Sequence, residues 1–140
     1  MVNEELERAR AELRKTGANW ALLALPENVT YTSHWEVPVQ FGPMTHLSYA
    51  PPLALVGVTE QACLLLVHNY YAEAARTATT FNEVLSYDLV PLFPPYQLHG
   101  TPRDNFIAML RVAVERAGLN RPGLTLAIED NVLPALALHS

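Results

Sequence analysis

The stretch "NWALLAL", residues 19 to 25, is apolar almost without a break. A strand with one wet face alternates apolar and polar residues. An unbroken run this short therefore marks a strand buried on both faces. Pro26 ends the run, because proline cannot donate to a strand ladder. Two further apolar runs, "LALVGVT" (53 to 59) and "ACLLLVH" (62 to 68), are separated only by "EQ". That spacing fits an antiparallel hairpin.

Between these runs lie segments of helical character. Val2, Leu6, Ala9 and Leu13 recur at helical spacing, with charges between them and Gly17 as the closing residue, which predicts an amphipathic helix over 3–16. "NYYAEAARTATTF" (69 to 81) is alanine-rich and helix-compatible, and "EVLSYDLV" (83 to 90) reads as a strand. Thr101, Pro102 and Asp104 resemble a capping box that opens a strong helix. Its buried stripe is expected to be Phe106, Ile107, Leu110, Ala113, Val114 and Ala117, closed by Gly118. "RPGLTLAIED" (121 to 130) gives a turn and a last strand, and "NVLPALALHS" the start of one more helix. "ENVTYTS" has room for one short helical turn, while the proline-rich stretch 36–52 reads as a loop or an interrupted hairpin. Such alternation predicts an α/β layered domain, a mixed β-sheet flanked by helices, spanning residues 1–140 as one unit.

Half of the 140 residues are hydrophobic, enough for a substantial core. Nine Lys and Arg stand against 14 Asp and Glu, a formal net charge of −5. That balance argues against nucleic acid and against an anionic membrane surface, both of which demand a clustered basic face. Arg8, Arg10, Arg14 and Lys15 on the first helix, and Arg103, Arg111 and Arg116 on the later one, read as solvated helix faces. The single cysteine, Cys63, sits in an apolar run and reads as a buried, inert thiol. The charged start lacks a signal-peptide pattern and no apolar run approaches membrane-spanning length, so a cytoplasmic location is expected.

The common catalytic signatures are missing. The glycines are scattered, so no phosphate-cradling loop is built. His34, His46, His68, His99 and His139 form no local metal-ligand pattern, and no serine sits in a nucleophile elbow. Glu129 and Asp130 are adjacent on a strand end and point to opposite faces, so helix capping by Asp130 or Asn131 is the simpler account. The richest stretch is 31–49, where Tyr31, His34, Trp35, Glu36, Phe41, His46 and Tyr49 lie among prolines. It reads either as a contact surface or as a strand exit whose Trp35 and Phe41 cap the edge of the core.

The segment "ANWALLALPENVTYTSHW", following an amphipathic helix that ends in glycine, resembles the N-terminal domain of the creatinase, prolidase and Xaa-Pro aminopeptidase family. Members show a "DALLL" strand and then "PENVRYLTGF" or similar. Ala21, Leu22, Leu23, Pro26, Glu27, Asn28, Val29, Tyr31, Thr32 or Ser33, and Trp35 stand in the matching places. The hairpin, the long helix with Gly118 and "RPGLTLAIED" fit the order that follows. His34 departs from the pattern, because the family commonly has glycine there, and glycine adopts a left-handed backbone more readily than histidine. The stretch "EVPVQFGPMTHLSYAPP" is also unlike the usual members.

The resemblance implies a ribonuclease H-like α/β fold without catalytic residues of its own. The family's chemistry belongs to a following pita-bread domain, absent from this chain; in the peptidases two divalent metal ions (Mn, Co or Zn) serve hydrolysis of an Xaa-Pro bond there, while creatinase works without metal. The implied partners are a second copy of the chain in a homodimer and the catalytic domain of the parent enzyme. The implied role is dimerisation and shaping of the partner subunit's active-site entrance. The residues to which that role maps are Tyr31, His34, Trp35, Glu36 and Phe41. The competing reading is a stand-alone binding or scaffold module using the 31–49 loop. An independent ribonuclease H-like nuclease would need clustered acids on strand ends and a basic face, and neither is visible.

Overall fold

A computed structural model of the chain describes residues 3–38, 51–58, 62–88, 102–119 and 121–129. The described elements run α1 (Glu4–Arg14), β1 (Trp20–Leu23), α2 (Pro26–Ser33), β2 (Leu53–Gly57), β3 (Cys63–His68), α3 (Asn69–Ala78), β4 (Glu83–Tyr87), α4 (Pro102–Ala117) and β5 (Leu126–Ile128). The strands form one sheet in the order β4-β3-β2-β1-β5. β2 runs antiparallel to both of its neighbours, while β3 with β4 and β1 with β5 are parallel pairs. The carboxyl ends of β1, β3, β4 and β5 therefore share one edge of the sheet. The sheet is mixed, as predicted, and the hairpin of the two apolar runs is β2–β3.

Period-two alternation divides the side chains between two cores. Trp20, Leu22, Leu53, Leu55, Leu64, Leu66, Leu85 and Tyr87 point to the face covered by α4, through Phe106, Ala113 and Ala117. Ala54, Val56, Cys63, Leu65, Val67 and Val84 point to the other, against Leu6 of α1, Val29 of α2 and Ala72 and Ala75 of α3. The apolar runs are continuous because both faces are dry. The two faces are not equally closed: Ile107, Leu110 and Val114 of α4 and all of β5 are half-buried rather than buried.

Several expectations need adjustment. The first helix is shorter than 3–16. Asn3 is its N-cap, with the side chain accepting from Leu6 N–H at 2.9 Å, and Gly17 turns the chain at φ +79°. Pro26 does more than stop β1: it opens α2, which runs for eight residues rather than a single turn. Thr101, Asp130 and the 131–140 segment lie outside the described residues.

The reading of Arg10 as a solvated cation is corrected. Its side chain is 3% exposed. Nε donates to the Gly57 carbonyl at 2.8 Å, Nη1 to Glu7 Oε1 at 2.6 Å and Nη2 to Cys63 Sγ at 3.2 Å. Helical spacing places Arg10 on the same face as Leu6 and Leu13, and its planar fork reaches the end of β2 instead of water. Asn3 ties the layer similarly: Nδ2 donates to the Thr32 carbonyl at 2.7 Å and to Thr80 Oγ1 at 2.6 Å. Cys63 is buried as expected, and burial pushes its thiol up despite the Arg10 charge, so it stays protonated. Arg10→Ala is expected to lower unfolding free energy by about 2 kcal/mol. Arg14→Ala, on the exposed face, should stay within about 0.5 kcal/mol; urea midpoints at unchanged m value check the contrast.

Candidate functional site

The stretch singled out in the sequence sits on and after α2, at the carboxyl edge of the sheet. α2 is held at both ends by distant parts of the chain. At its start, the Glu129 carboxylate just past β5 accepts from Leu25 N–H at 2.9 Å, Ala24 N–H at 3.4 Å and Asn28 Nδ2 at 2.9 Å. An anion at a helix N-terminus meets unpaired donors and the positive end of the dipole. Glu129 thus ties the entry of α2 to the end of β5 from 104 residues away, a role that nearest-neighbour spacing does not reveal.

At its end, the free carbonyls of α2 are taken up in turn. His34 N–H donates to the Thr30 carbonyl, Asn3 to that of Thr32, and Thr80 N–H and Thr79 Oγ1 to that of Ser33. His34 itself adopts φ +63°, ψ +7°, the left-handed C-cap position. This is the conformation that made glycine the expected residue there, and histidine occupies it. Its ring reaches back to α1, with Nε2 2.9 Å from Glu5 Oε2. The contact with His34 holds the exposed Glu5 carboxyl below the usual carboxylate range.

The left-handed turn redirects the chain into an extended segment, fastened by hydroxyls of the helix it has just left. Trp35 N–H donates to Ser33 Oγ at 3.2 Å and Val37 N–H to Thr30 Oγ1 at 3.0 Å. Along this segment burial alternates: Trp35 and Val37 point inward, Glu36 and Pro38 outward. Trp35 is 4% exposed and joins the α1/α2/α3 core. Of the candidate residues, Tyr31, His34 and Glu36 therefore share the surface, Trp35 anchors their segment from below, and Phe41 lies outside the described residues. Tyr31, at 43% exposure, is one of three large apolar side chains left open among the described residues, with Leu25 and Tyr70.

A row of rings crosses this edge from one face of the sheet to the other. Trp35 lies 5.9 Å from Tyr71, Tyr71 3.9 Å from His68, His68 6.5 Å from Tyr87 and Tyr87 5.3 Å from Phe106, centroid to centroid. It joins the α2 exit, the start of α3, the paired ends of β3 and β4, and α4. Sequence reading did not single out His68, Tyr71 or Tyr87. The alternation Leu64, Leu66, His68 was the available signal, since it puts an imidazole at an inward position of β3.

Nothing in this arrangement is a catalytic constellation. Among the described residues no group of three His, Cys, Asp or Glu side chains could hold a metal ion, and no helix is long and apolar enough to cross a membrane.

No family model matches the sequence, and no curated protein matches it. Solved structures do. The creatinase/prolidase N-terminal domain of an X-Pro dipeptidase from Streptococcus pyogenes aligns over 99% of this chain and 85% of its own, with TM-score 0.59 and 18% identity. The N-terminal domain of the cytoplasmic peptidase PepQ from Mycobacterium tuberculosis aligns over 97% and 84%, with TM-score 0.59 and 20% identity. A dipeptidase from Pyrococcus horikoshii aligns over 96% of this chain but only 31% of its own, with TM-score 0.61 and 17% identity.

Substitutions at Trp35, Tyr31 and His34 probe the local geometry. Trp35→Ala should cost about 3–5 kcal/mol in unfolding free energy, while Tyr31→Ala stays within about 0.5 kcal/mol. His34→Gly and His34→Ala both lose the Glu5 contact, so their difference isolates the backbone. Glycine should be the more stable by about 1 kcal/mol in thermal or urea unfolding. The described part of this chain has the mixed-sheet fold of the creatinase/prolidase N-terminal domain.

Proposed function

We propose that this chain is a non-catalytic N-terminal domain of an Xaa-Pro peptidase or related creatinase/prolidase-type hydrolase. Its work is to form a homodimer and to shape the entrance of the partner subunit's active site. The observation that carries this reading is the end-to-end alignment with isolated N-terminal domains of such peptidases, together with the smaller share it covers of a whole dipeptidase. The "PENVTYTSHW" helix and its exit strengthen it, because the segment is anchored from within and offers a polar and aromatic outer side.

On this reading the chemistry resides elsewhere. The parent's two divalent metal ions belong to a separate catalytic domain, and the described residues here offer no donor set for them. No step of hydrolysis is therefore assigned to this chain. What it supplies is position. Trp35 and Val37 fix the α2 exit against the core, and Tyr31, His34 and Glu36 form the outward face presented to the partner. Soluble, cytoplasmic operation is part of the proposal.

The purified 140-residue chain is expected to show no hydrolysis of Xaa-Pro dipeptides with added Mn²⁺, Co²⁺ or Zn²⁺, and to sediment as a dimer. Tyr31→Ala combined with Glu36→Ala should move the sedimentation equilibrium toward monomer without changing the circular dichroism spectrum. Turnover by the chain alone would overturn the non-catalytic role. A dimer indifferent to both substitutions would overturn the placement of the contact face.

A further inference from the structure

His68 is the last residue of β3 and the N-cap of α3, and it is 1% exposed. Neither ring nitrogen has a hydrogen-bond partner among the described residues. An imidazole always carries at least one N–H donor, so a buried ring without partners forgoes its hydrogen bonds in either neutral tautomer. Its side chain also leaves α3 uncapped, although it stands at the capping position. What surrounds it is aromatic: Tyr71 at 3.9 Å, Tyr70 at 5.9 Å and Tyr87 at 6.5 Å.

The rings packed around it are Tyr70 and Tyr71 from α3 and Tyr87 from β4, while the charged residues of the flanking elements, Glu73 and Arg76 on α3, Asp88 after β4 and Arg103 and Asp104 on α4, are exposed. From the α2 exit the side chain beyond Tyr71 is the uncharged Trp35, and from α4 the ring beyond Tyr87 is Phe106. His34 is engaged with Glu5, and Glu36 faces solvent. Among the described residues, no carboxylate offsets the cost of a positive charge at His68. Because His68 is the middle ring of the row, displacing it would loosen both halves: the contact to Tyr71 and Trp35 on one face, and to Tyr87 and Phe106 on the other.

We propose that His68 is an acid-sensitive latch, which on taking up a proton opens the corner formed by the α2 exit, the start of α3 and the end of β4. The proposal does not depend on the peptidase reading. Burial favours the neutral ring and pushes its titration below the ordinary histidine range. The sign follows from linkage. The opened state binds the proton more readily than the closed one, so closure is fully favoured above about pH 6.5 and loses ground as pH falls below that value. Over that window the opening equilibrium rises by roughly tenfold per pH unit until the buried ring itself titrates. The Glu5–His34 contact acts in a different window, because a lowered carboxyl loses its stabilisation only as pH falls through its own, more acidic range.

The test uses the 140-residue chain with Trp20→Phe, which leaves Trp35 as its only tryptophan. Acrylamide quenching of Trp35 is followed from pH 7.5 to 5, alongside the far-ultraviolet circular dichroism. Quenching is expected to rise at least fivefold by pH 5 while the secondary structure persists. His68→Phe should abolish the rise, and so should His68→Gln, which is polar but cannot titrate. His34→Gln should retain it. NMR titration of the His68 ring in the unsubstituted chain gives a direct reading even where a substitution prevents folding: a midpoint below the ordinary histidine range is expected. Quenching that does not rise, a rise that survives both His68 substitutions, or a ring that titrates at an ordinary value would overturn the proposal.

Discussion

The structure is governed by a sheet that has no wet face. β2 and β3 are buried along their whole length, and β1 nearly so. Such strands cannot exist without cover on both sides, so α1, α2 and α3 must lie on one face and α4 on the other. The hydrophobic term sets this layering but fixes little about position within a layer, because it has no direction. Direction comes from the few polar groups at the rims. Arg10 reaches the end of β2, Asn3 joins α1 to the exits of α2 and α3, and Glu129 joins β5 to the entry of α2. Each satisfies backbone groups that helix or strand ends leave unpaired, so each is specific in a way that leucine packing is not.

The same logic explains how a functional surface can be built on α2. A two-turn helix has little stability of its own. Here it is fixed by a carboxylate at its entry and by five donors to three carbonyls at its C-terminus. Its threonine and serine hydroxyls then position the next residues of the chain. Side chains on the outer side of α2 and its exit are thereby released from structural duty. Trp35 and the row of rings carry that duty instead, and Tyr31, Glu36 and Pro38 are free to meet something else. Along the exit of α2, alternate residues thus divide between the core and the surface.

Much of the fold was legible because the signals were local. Apolar runs bounded by proline and glycine marked β1, β2 and β3, and the spacing of Phe106, Ala113 and Ala117 marked the buried side of α4. The left-handed turn at residue 34 was legible too, since a motif that ordinarily holds glycine there announces its backbone. What stayed hidden depended on residues far apart in sequence. Arg10 is a plausible surface cation until the end of β2 arrives beside it. Glu129 is one acid among 14 until β5 pairs with β1. His68 looks like a strand-end polar residue until Tyr71 and Tyr87 close over it. In each case the deciding partner comes from another element, and one-dimensional spacing carries no trace of it.

The antiparallel placement of β2 among otherwise parallel neighbours has a corollary for chain length. Leu23 at the end of β1 pairs with Ala54 near the start of β2, so the chain leaves and re-enters the sheet at the same edge. Whatever number of residues joins Pro38 to Pro51, the register of the β1–β2 ladder is set by side chains on either side of that join. Doubling the length of such a connection costs only about 0.6 kcal/mol in closure entropy. The 39–50 stretch can therefore change in length at little cost to the register of the sheet it interrupts.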